Sequence, residues 1–260
     1  MGQFLTFAMV APMASFGAIA VGERRDGWDR PARSAVLGLV AACLGLTRDD
    51  EQAQAALASD YGVAILCHAP GRLLTDYHTT QAAPARRNWR PATRAEELAA
   101  SPGDLATILS RRDYRTGTWH LGALWPRREC ARWTLQAIQA AMNEPVFTPS
   151  LGRRACPAGL PLAPCVTDGS AAAAVLLERH RNGPEARLHV RRRVFREQLA
   201  GPSQGENPLL VLDVADVAEH GGGCTLLRRE IRRDQPLSRT RWQFGLREEA
   251  MLSYSEGLTA

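Results

Sequence analysis

The order of buried strands and amphipathic helices in the first 150 residues is the feature that most limits the fold. The apolar run from Phe4 to Val10 predicts a β-strand that is buried on both faces. Residues 31–45 then carry apolar side chains at helical spacing, with Gly38 in mid-helix. Further strands are predicted at 61–67, 72–77 and 118–125, a second long helix at 127–142, and a strand end at 151–157. This order is close to βαββαβ, so we predict an α+β fold with an RRM/ferredoxin-like domain.

Gly38 carries an expectation of its own. Glycine in a helix interior costs about 1 kcal/mol relative to alanine. A close packing contact would justify that cost, so we expect another group to approach the helix at this position.

A change in regularity divides the chain into two predicted units. Residues 1–150 form the RRM-like unit, and residues 81–102 within it predict a flexible or protruding segment, because they show little periodicity and are rich in Ala, Pro and Arg. Residues 151–260 are less regular, which indicates a smaller β-rich C-terminal unit packed on the first. Its strands are predicted at 187–195, 208–214 and 226–233.

Positive charge in this chain is carried by arginine alone. The 32 basic residues contain no lysine and face 27 acidic residues, for a net charge of +5. This mild excess permits a polyanionic partner without requiring one. The lack of lysine excludes enzymes that need a lysine Schiff base or a lysine general base.

The six cysteines predict neither a metal site nor a disulfide framework. No two have CxxC spacing, and no histidine falls at zinc-finger spacing. A reducing, cytoplasmic location fits this pattern best. The apolar N-terminal run is interpreted as a buried strand, so no membrane association is expected. No cofactor is expected either.

Three arginine clusters fall in loops or at the ends of predicted elements. Helix starts offer free N–H groups, so Arg33 and Ser34 are a candidate phosphate cradle. An aromatic side chain among arginines, such as Tyr114, can stack on a nucleobase. Each cluster alone is more typical of a solvated surface, and the three together make nucleic-acid binding an equally good interpretation. The clusters are Arg24, Arg25, Arg30 and Arg33; Arg111, Arg112 and Arg115 with Tyr114; and Arg153 with Arg154.

The third cluster lies in the segment LGRRACP, at residues 151–157. Its paired guanidiniums follow Gly152 and suit a phosphate or a carboxylate, because each guanidinium is a fork of donors. Cys156 and the proline after it end the segment, and we include Cys156 among the candidate RNA contacts.

One short segment offers an enzymatic alternative. His78 beside Tyr77 could shuttle protons in a metal-free ribonuclease, with His120 as a further candidate. The other interpretation is that His78 makes a structural hydrogen bond where a strand leaves the sheet. The residues alone leave both open.

Six segments occur in an order that strongly resembles the CasD family, the Cas-five subunits of type I-E CRISPR Cascade complexes. The resemblance spans nearly the whole chain, and the segment at residues 82–104 matches least well. Phe16 and Ser150 depart from the family pattern, where Trp and an aromatic residue are usual. The segments are APMASFG, RPARSAVLGLVAACLGLTRDD, DYHT, RRDY, FTPSLGRRACPAGLPL and PLSRTRWQF.

The resemblance implies a RAMP-superfamily protein with an RRM-like palm and a long β-hairpin thumb at about 78–118. It implies a non-catalytic subunit that holds the 5′ handle of the CRISPR RNA and caps the backbone filament. The implied partners are that RNA, the backbone subunit CasC, the large subunit CasA, and target DNA through the assembled complex. An alternative is a metal-independent endoribonuclease that processes precursor CRISPR RNA. The implied RNA contacts include His78, the thumb residues Arg111, Arg112 and Tyr114, the loop before Arg33, and the Arg153–Arg154 turn.

Overall fold

The computed structural model describes residues 1–17, 20, 22–85, 87–99, 103–185 and 208–254. The strands are β1 (Gly2–Ala14), β2 (Arg24–Arg25), β3 (Tyr61–Ala69), β4 (Arg72–Ala82), β5 (Ala106–Pro126), β6 (Cys165–Gly169), β7 (Leu209–Asp213), β8 (Thr225–Ser238) and β9 (Gln243–Ser253). The helices are α1 (Arg33–Cys43), α2 (Glu51–Asp60), α3 (Arg94–Ala99), α4 (Leu135–Asn143), α5 (Ala172–Asn182) and the short α6 (Val217–His220). No helix in these ranges combines the length and hydropathy needed to cross a bilayer.

All the described strands belong to one sheet with the order β6-β1-β5-β3-β7-β9-β8. Every pair along this path is antiparallel. Two further strands pair with the first half of β5: β4 antiparallel along one edge and β2 parallel along the other. β5 is 21 residues long and therefore pairs with four other strands.

The sheet has an apolar layer on each face. One layer packs β1 and β3 against α1 and α4, with Phe7, Val40 and Ile138 fully buried in it. The other layer packs the opposite side of the same strands against α5, around Leu121 and Leu176. Strands buried on both faces require apolar side chains at consecutive positions, which explains the unbroken apolar run in β1.

The first half of β5 and the whole of β4 form a hairpin that extends beyond the rest of the sheet. Their register runs without interruption from Arg72 opposite Thr116 to Ala82 opposite Ala106. We call this hairpin the β4–β5 arm. The segment predicted to be flexible joins its two strands, and α3 lies within it.

The C-terminal residues complete the first sheet instead of forming a separate one. β6 pairs with β1, and β7 pairs with β3, so strands from beyond residue 150 flank the N-terminal strands on both sides. A boundary at 150/151 therefore does not separate two sheets. Edge strands leave unpaired backbone groups, and these later strands cover them. The strand predicted at 187–195 lies outside the described residues.

The helix predicted at 127–142 begins later than its apolar spacing indicates. The Thr134 side chain caps α4 by accepting a hydrogen bond from the N–H of Ala137, at 3.1 Å. The preceding residues are held elsewhere, because the N–H of Arg127 donates to the carbonyl of Asp60 and the N–H of Trp133 donates to the hydroxyl of Tyr61. Tertiary contacts thus override helical periodicity at this point.

Gly122 offers a direct test of the packing between β5 and β1. A Cβ at this position would lie 2.5 Å from Cζ of Phe7, whose ring is fully buried. We expect Gly122→Ala to lower the free energy of unfolding by roughly 1–3 kcal/mol, as overpacking does. Gly103→Ala is the matched control, since nothing lies within 4 Å of its added Cβ. Equal urea midpoints for the two variants would contradict this packing.

Candidate nucleic-acid interface

The structure brings parts of the three predicted arginine clusters together at the base of the β4–β5 arm. β2 pairs with β5 so that Arg24 lies opposite Arg111 and Arg25 lies opposite Arg112. The N–H of Arg111 also donates to the carbonyl of Glu23, at 3.0 Å. Two clusters that are far apart in sequence therefore form one exposed basic ribbon.

Alternation along β5 sorts these side chains onto two faces. Arg112 and Tyr114 share one face, and the guanidinium carbon of Arg153 lies 4.6 Å from the centroid of the Tyr114 ring. Arg25 joins them through its pairing with Arg112. We call these four residues the Tyr114 face. Arg24, Arg111 and Arg115 lie on the opposite face.

The arginines of the Tyr114 face are free of internal carboxylates. Among the described residues, no Asp or Glu oxygen lies within salt-bridge distance of Arg25, Arg112 or Arg153. Nη1 of Arg153 donates to the carbonyl of Asp113 at 3.3 Å, and Nε of Arg112 donates to Ser110 at 3.1 Å. These bonds fix the side chains and leave further donors available. Arg24 differs, because its Nε contacts the carboxylate of Asp26.

The LGRRACP segment forms a tight loop that presents Arg153 and the exposed Arg154. The N–H of Cys156 donates to the carbonyl of Arg153, and the N–H of Leu151 donates to the carbonyl of Cys156, each at 2.8 Å. Gly152 has φ +99°, and a Cβ there would lie 1.8 Å from the carbonyl oxygen of Ser15. Only glycine suits this close approach, so the loop is held against the end of β1.

Cys156 itself is an interior residue of that loop. Its side chain is fully buried, and burial raises the pKa of its thiol. The expectation that Cys156 contacts RNA is therefore corrected: the residue shapes the loop from inside. Arg115 is half-buried, and its Nε has no hydrogen-bond partner within the described part of the chain.

Arg30 and Arg33 are buried instead of facing solvent, which corrects their assignment as phosphate contacts. Each is only 2% exposed. The Arg30 guanidinium binds Glu249 at 2.7 Å, binds Asp29 at 2.8 Å, and contacts Glu230. Burial alone lowers the pKa of Arg30, but the carboxylate of Glu249 more than reverses this and the pKa is raised.

Arg33 is similarly surrounded by acceptors from the protein itself. Its Nη2 donates to the carbonyls of Ala58 and Tyr61, at 2.7 and 2.9 Å. Its Nη1 donates to the side chain of Gln235, and its Nε lies 3.4 Å from Asp213. No donor of this guanidinium is directed to the surface.

The predicted phosphate cradle at the start of α1 already holds an anion. Oδ2 of Asp234 accepts the backbone N–H of Arg33, at 2.9 Å. Burial alone raises the pKa of Asp234, but hydrogen bonds and charge from Arg247 lower it below the usual range. Asp234 is therefore ionised at neutral pH and occupies the helix terminus, with Ser34 half-buried beside it.

The residues of the enzymatic alternative are not brought together. Tyr77 and His78 are exposed on opposite faces of β4, and Nδ1 of His78 lies 2.6 Å from the carboxylate of Asp76. His120 is fully buried in the sheet with its ring edge-on to Phe16. Burial lowers the pKa of His120 to about 3, so the imidazole is neutral at physiological pH.

Residues that the sequence reasoning missed include the carboxylates Asp213, Asp234 and Glu249 and the ring of Trp28. The guanidinium carbons of Arg30 and Arg232 lie 5.5 and 4.2 Å from the Trp28 ring centroid. The pairs Arg30–Glu249 and Arg33–Asp234 each join residues more than 200 positions apart, so only the fold identifies them.

Comparison with known proteins places this chain in a family. The model of the family described as "CRISPR-associated protein (Cas_Cas5)" matches residues 4–248. The chain belongs to the Cas5 family. The Cascade subunit CasD of Escherichia coli (strain K12) is 31% identical over 170 residues, which cover 62% of this chain and 70% of that protein. The resemblance to CRISPR-associated subunits that the sequence motifs indicated is thus confirmed.

Solved structures share the fold at the scale of the whole Cas5 chain. A chain of a "CRISPR RNA-guided surveillance complex" aligns with a TM-score of 0.58 and 22% identity, over 98% of this chain and 92% of that one. A Cas protein known from a crystal structure aligns with a TM-score of 0.57 and 20% identity, over 98% and 96%. At these identities the likeness shows the fold: a mixed α/β architecture with one large antiparallel sheet.

Because some arginines are buried and others are exposed, we expect their substitution to change stability by very different amounts. Arg33→Met would remove a buried cation and leave the Gln235 side chain and two carbonyls without their Arg33 donor, so we expect a loss of about 3–5 kcal/mol in the free energy of unfolding. Arg154→Met at the exposed loop should change it by less than about 0.5 kcal/mol. Chemical denaturation of both variants measures this. If the Arg33→Met protein were as stable as the parent, the interior contacts of Arg33 would not be its role. Arg33 would then again be a candidate ligand contact.

Proposed function

We propose that this Cas5-family chain is a non-catalytic structural subunit of a Cascade complex that holds the 5′ handle of the CRISPR RNA. The observation that carries the proposal is the Tyr114 face. It combines an aromatic ring and unpaired guanidiniums at the base of a projecting hairpin. Membership in a family of CRISPR-associated proteins and the likeness to CasD of Escherichia coli support the choice of this RNA.

The geometry suits an RNA strand because it offers both phosphate donors and a stacking surface. Arg25, Arg112 and Arg154 carry exposed guanidiniums for phosphate oxygens. Arg153 covers one side of Tyr114, so a base would stack on the outer plane of this guanidinium or beside the ring. His78 lies farther along the arm, where a handle that follows β4 would reach it.

The fold suggests which parts correspond to the palm and the thumb of the family. The strands β6, β1, β5 and β3 have the ferredoxin-like order, with α1 and α4 on one face, and we assign them to the RRM-like palm. We assign the β4–β5 arm to the thumb. As a filament cap, the protein would contact CasC through the arm and the large subunit CasA elsewhere, and would reach target DNA through the assembled complex.

The double substitution Arg153→Ala/Arg154→Ala tests the handle role. Both residues contribute to one short surface, so we expect the affinity for an RNA with the 5′ handle to fall by about 10-fold or more at 150 mM salt. The slope of log K against log salt concentration should become smaller in magnitude by about one to two, since each lost phosphate contact removes about one released counterion. Fluorescence anisotropy with a labelled handle RNA measures both quantities.

The matched control is Arg228→Ala, because Arg228 is exposed and paired with Glu230, away from the Tyr114 face. This variant should bind within about twofold of the parent protein. Unchanged RNA affinity and unchanged complex assembly in the Arg153→Ala/Arg154→Ala protein would overturn the proposed role.

The nuclease alternative makes a separate prediction. Because His120 is buried and far along β5 from the arm, we expect no discrete cleavage of repeat RNA by the purified protein in EDTA. Gel analysis after a long incubation checks this. Discrete products that disappear in a His78→Ala variant would establish a ribonuclease and contradict the non-catalytic assignment.

A further inference from the structure

The tip of the β8–β9 hairpin carries a second arginine–aromatic cluster, in the segment PLSRTRWQF. Trp242 is 55% exposed, and two guanidiniums lie near its ring. The guanidinium carbon of Arg48 is 4.5 Å from its ring centroid and that of Arg239 is 5.2 Å away. Phe244 packs edge-on against the indole, with ring centroids 5.6 Å apart.

The two arginines near the Trp242 ring have no ion-pair partner among the described residues. Within the described residues, neither Arg48 nor Arg239 has a carboxylate oxygen inside 4 Å. Burial lowers the pKa of Arg239 first, and the like charge of Arg48 lowers it further. Nε of Arg239 is also buried with no hydrogen-bond partner among these residues. An anion bound between the two guanidiniums would relieve this repulsion.

The cluster is held in place by the surrounding backbone. Trp242 has φ +57°, a conformation that bulky residues rarely adopt. The hydroxyl of Thr240 donates to the carbonyl of Arg48 at 3.2 Å, and Ser238 bonds the carboxylate of Glu51. The Glu51 carboxylate accepts the hydroxyl hydrogen bond of Ser238 and interacts with the charge of Arg241, and in the described part of the chain it forms no ion pair with Arg48 or Arg239.

Gly38 of α1 makes room for this arrangement. A Cβ at Gly38 would lie 3.3 Å from Nη2 of Arg239. The sequence predicted a close contact at this mid-helix glycine, and the contact is the arginine that completes the cluster. The Arg239 guanidinium thus packs against α1 at the position that has no side chain.

We propose that Arg48, Arg239 and Trp242 form a clamp for a phosphodiester group of a nucleic acid, separate from the 5′-handle contacts. Both guanidiniums lie close to the same indole ring, and guanidinium donors suit the oxygens of a phosphate. The exposed Arg241 adds positive charge beside the clamp. An exposed ring beside two guanidiniums without an internal ion pair suits a nucleic-acid strand, because such a strand offers both phosphates and bases that stack.

The clamp belongs to different elements from the Tyr114 face, so the two proposals can fail independently. The Tyr114 face is built from β2, β5 and the 151–157 loop, whereas the clamp is built from the loop after α1 and the β8–β9 turn. The strand that it binds is either single-stranded RNA or duplex DNA. Both carry the same phosphodiester chemistry, and two probes distinguish them.

The test uses the full chain with Arg48→Gln/Arg239→Gln and two labelled probes that lack the handle sequence: a 30-nucleotide RNA and a 30-base-pair DNA duplex. We expect about 5- to 20-fold weaker binding of one probe at 150 mM salt, with a salt slope smaller by about one to two. The affected probe identifies the bound strand. Trp242→Ala keeps both charges but removes the ring on which the two guanidiniums pack. It should weaken binding of the same probe by about threefold or more.

Arg132→Gln is the matched control, because Arg132 also packs on a tryptophan, Trp133, and in the described part of the chain no second guanidinium lies over that ring. It should bind both probes within about twofold of the parent. Arg48→Gln alone covers the case in which the double variant does not fold, since Arg48 is exposed. Unchanged binding of both probes in a folded variant overturns the clamp, as does lost assembly with other Cascade subunits at unchanged nucleic-acid affinity.

Discussion

The buried contact between Arg30 and Glu249 determines how the two ends of the chain meet. Glu249 is 2% exposed, and its carboxylate accepts hydrogen bonds from Arg30, Arg232 and Arg247. A buried charge without a partner costs several kcal/mol, so none of these groups can be moved separately. The loop before α1 is consequently fixed to β8 and β9, although Arg30 and Glu249 are 219 residues apart.

This fixed point also positions the exposed arginines. Trp28 packs between Arg30 and Arg232, and its N–H donates to the carbonyl of Phe16 at 2.7 Å. The loop between Phe16 and Trp28 is therefore closed at its base, and its outer part carries Arg25 to β5. A flexible loop would lose conformational entropy on binding RNA, and a closed loop loses less. The interior ion pairs thus contribute to the Tyr114 face without touching a ligand.

Local elements were predictable because their signals are local. The apolar period of α1 and the apolar runs of β1 and β3 are contained within a few residues, and the structure contains all three. The roles of Arg30 and Arg33 were not predictable, because an arginine has the same local pattern whether its partner is a phosphate or Asp234, about 200 residues away. The stacking of Arg153 on Tyr114 likewise needs the fold, since 38 residues separate them in the sequence.

Arginine serves three physical purposes in this chain, and geometry assigns them. Arg33 and Arg247 are buried and bind several acceptors at once, which a planar group with five donors allows and an ammonium does not. Arg153 and Arg48 lie over aromatic rings, where weak hydration of the guanidinium favours stacking. The third group, which includes Arg25 and Arg154, is exposed and contacts neither buried acceptors nor an aromatic ring in the described part of the chain. Net charge therefore overstates the surface available to a polyanion, which depends on the unpaired guanidiniums and not on the total of 32 basic residues.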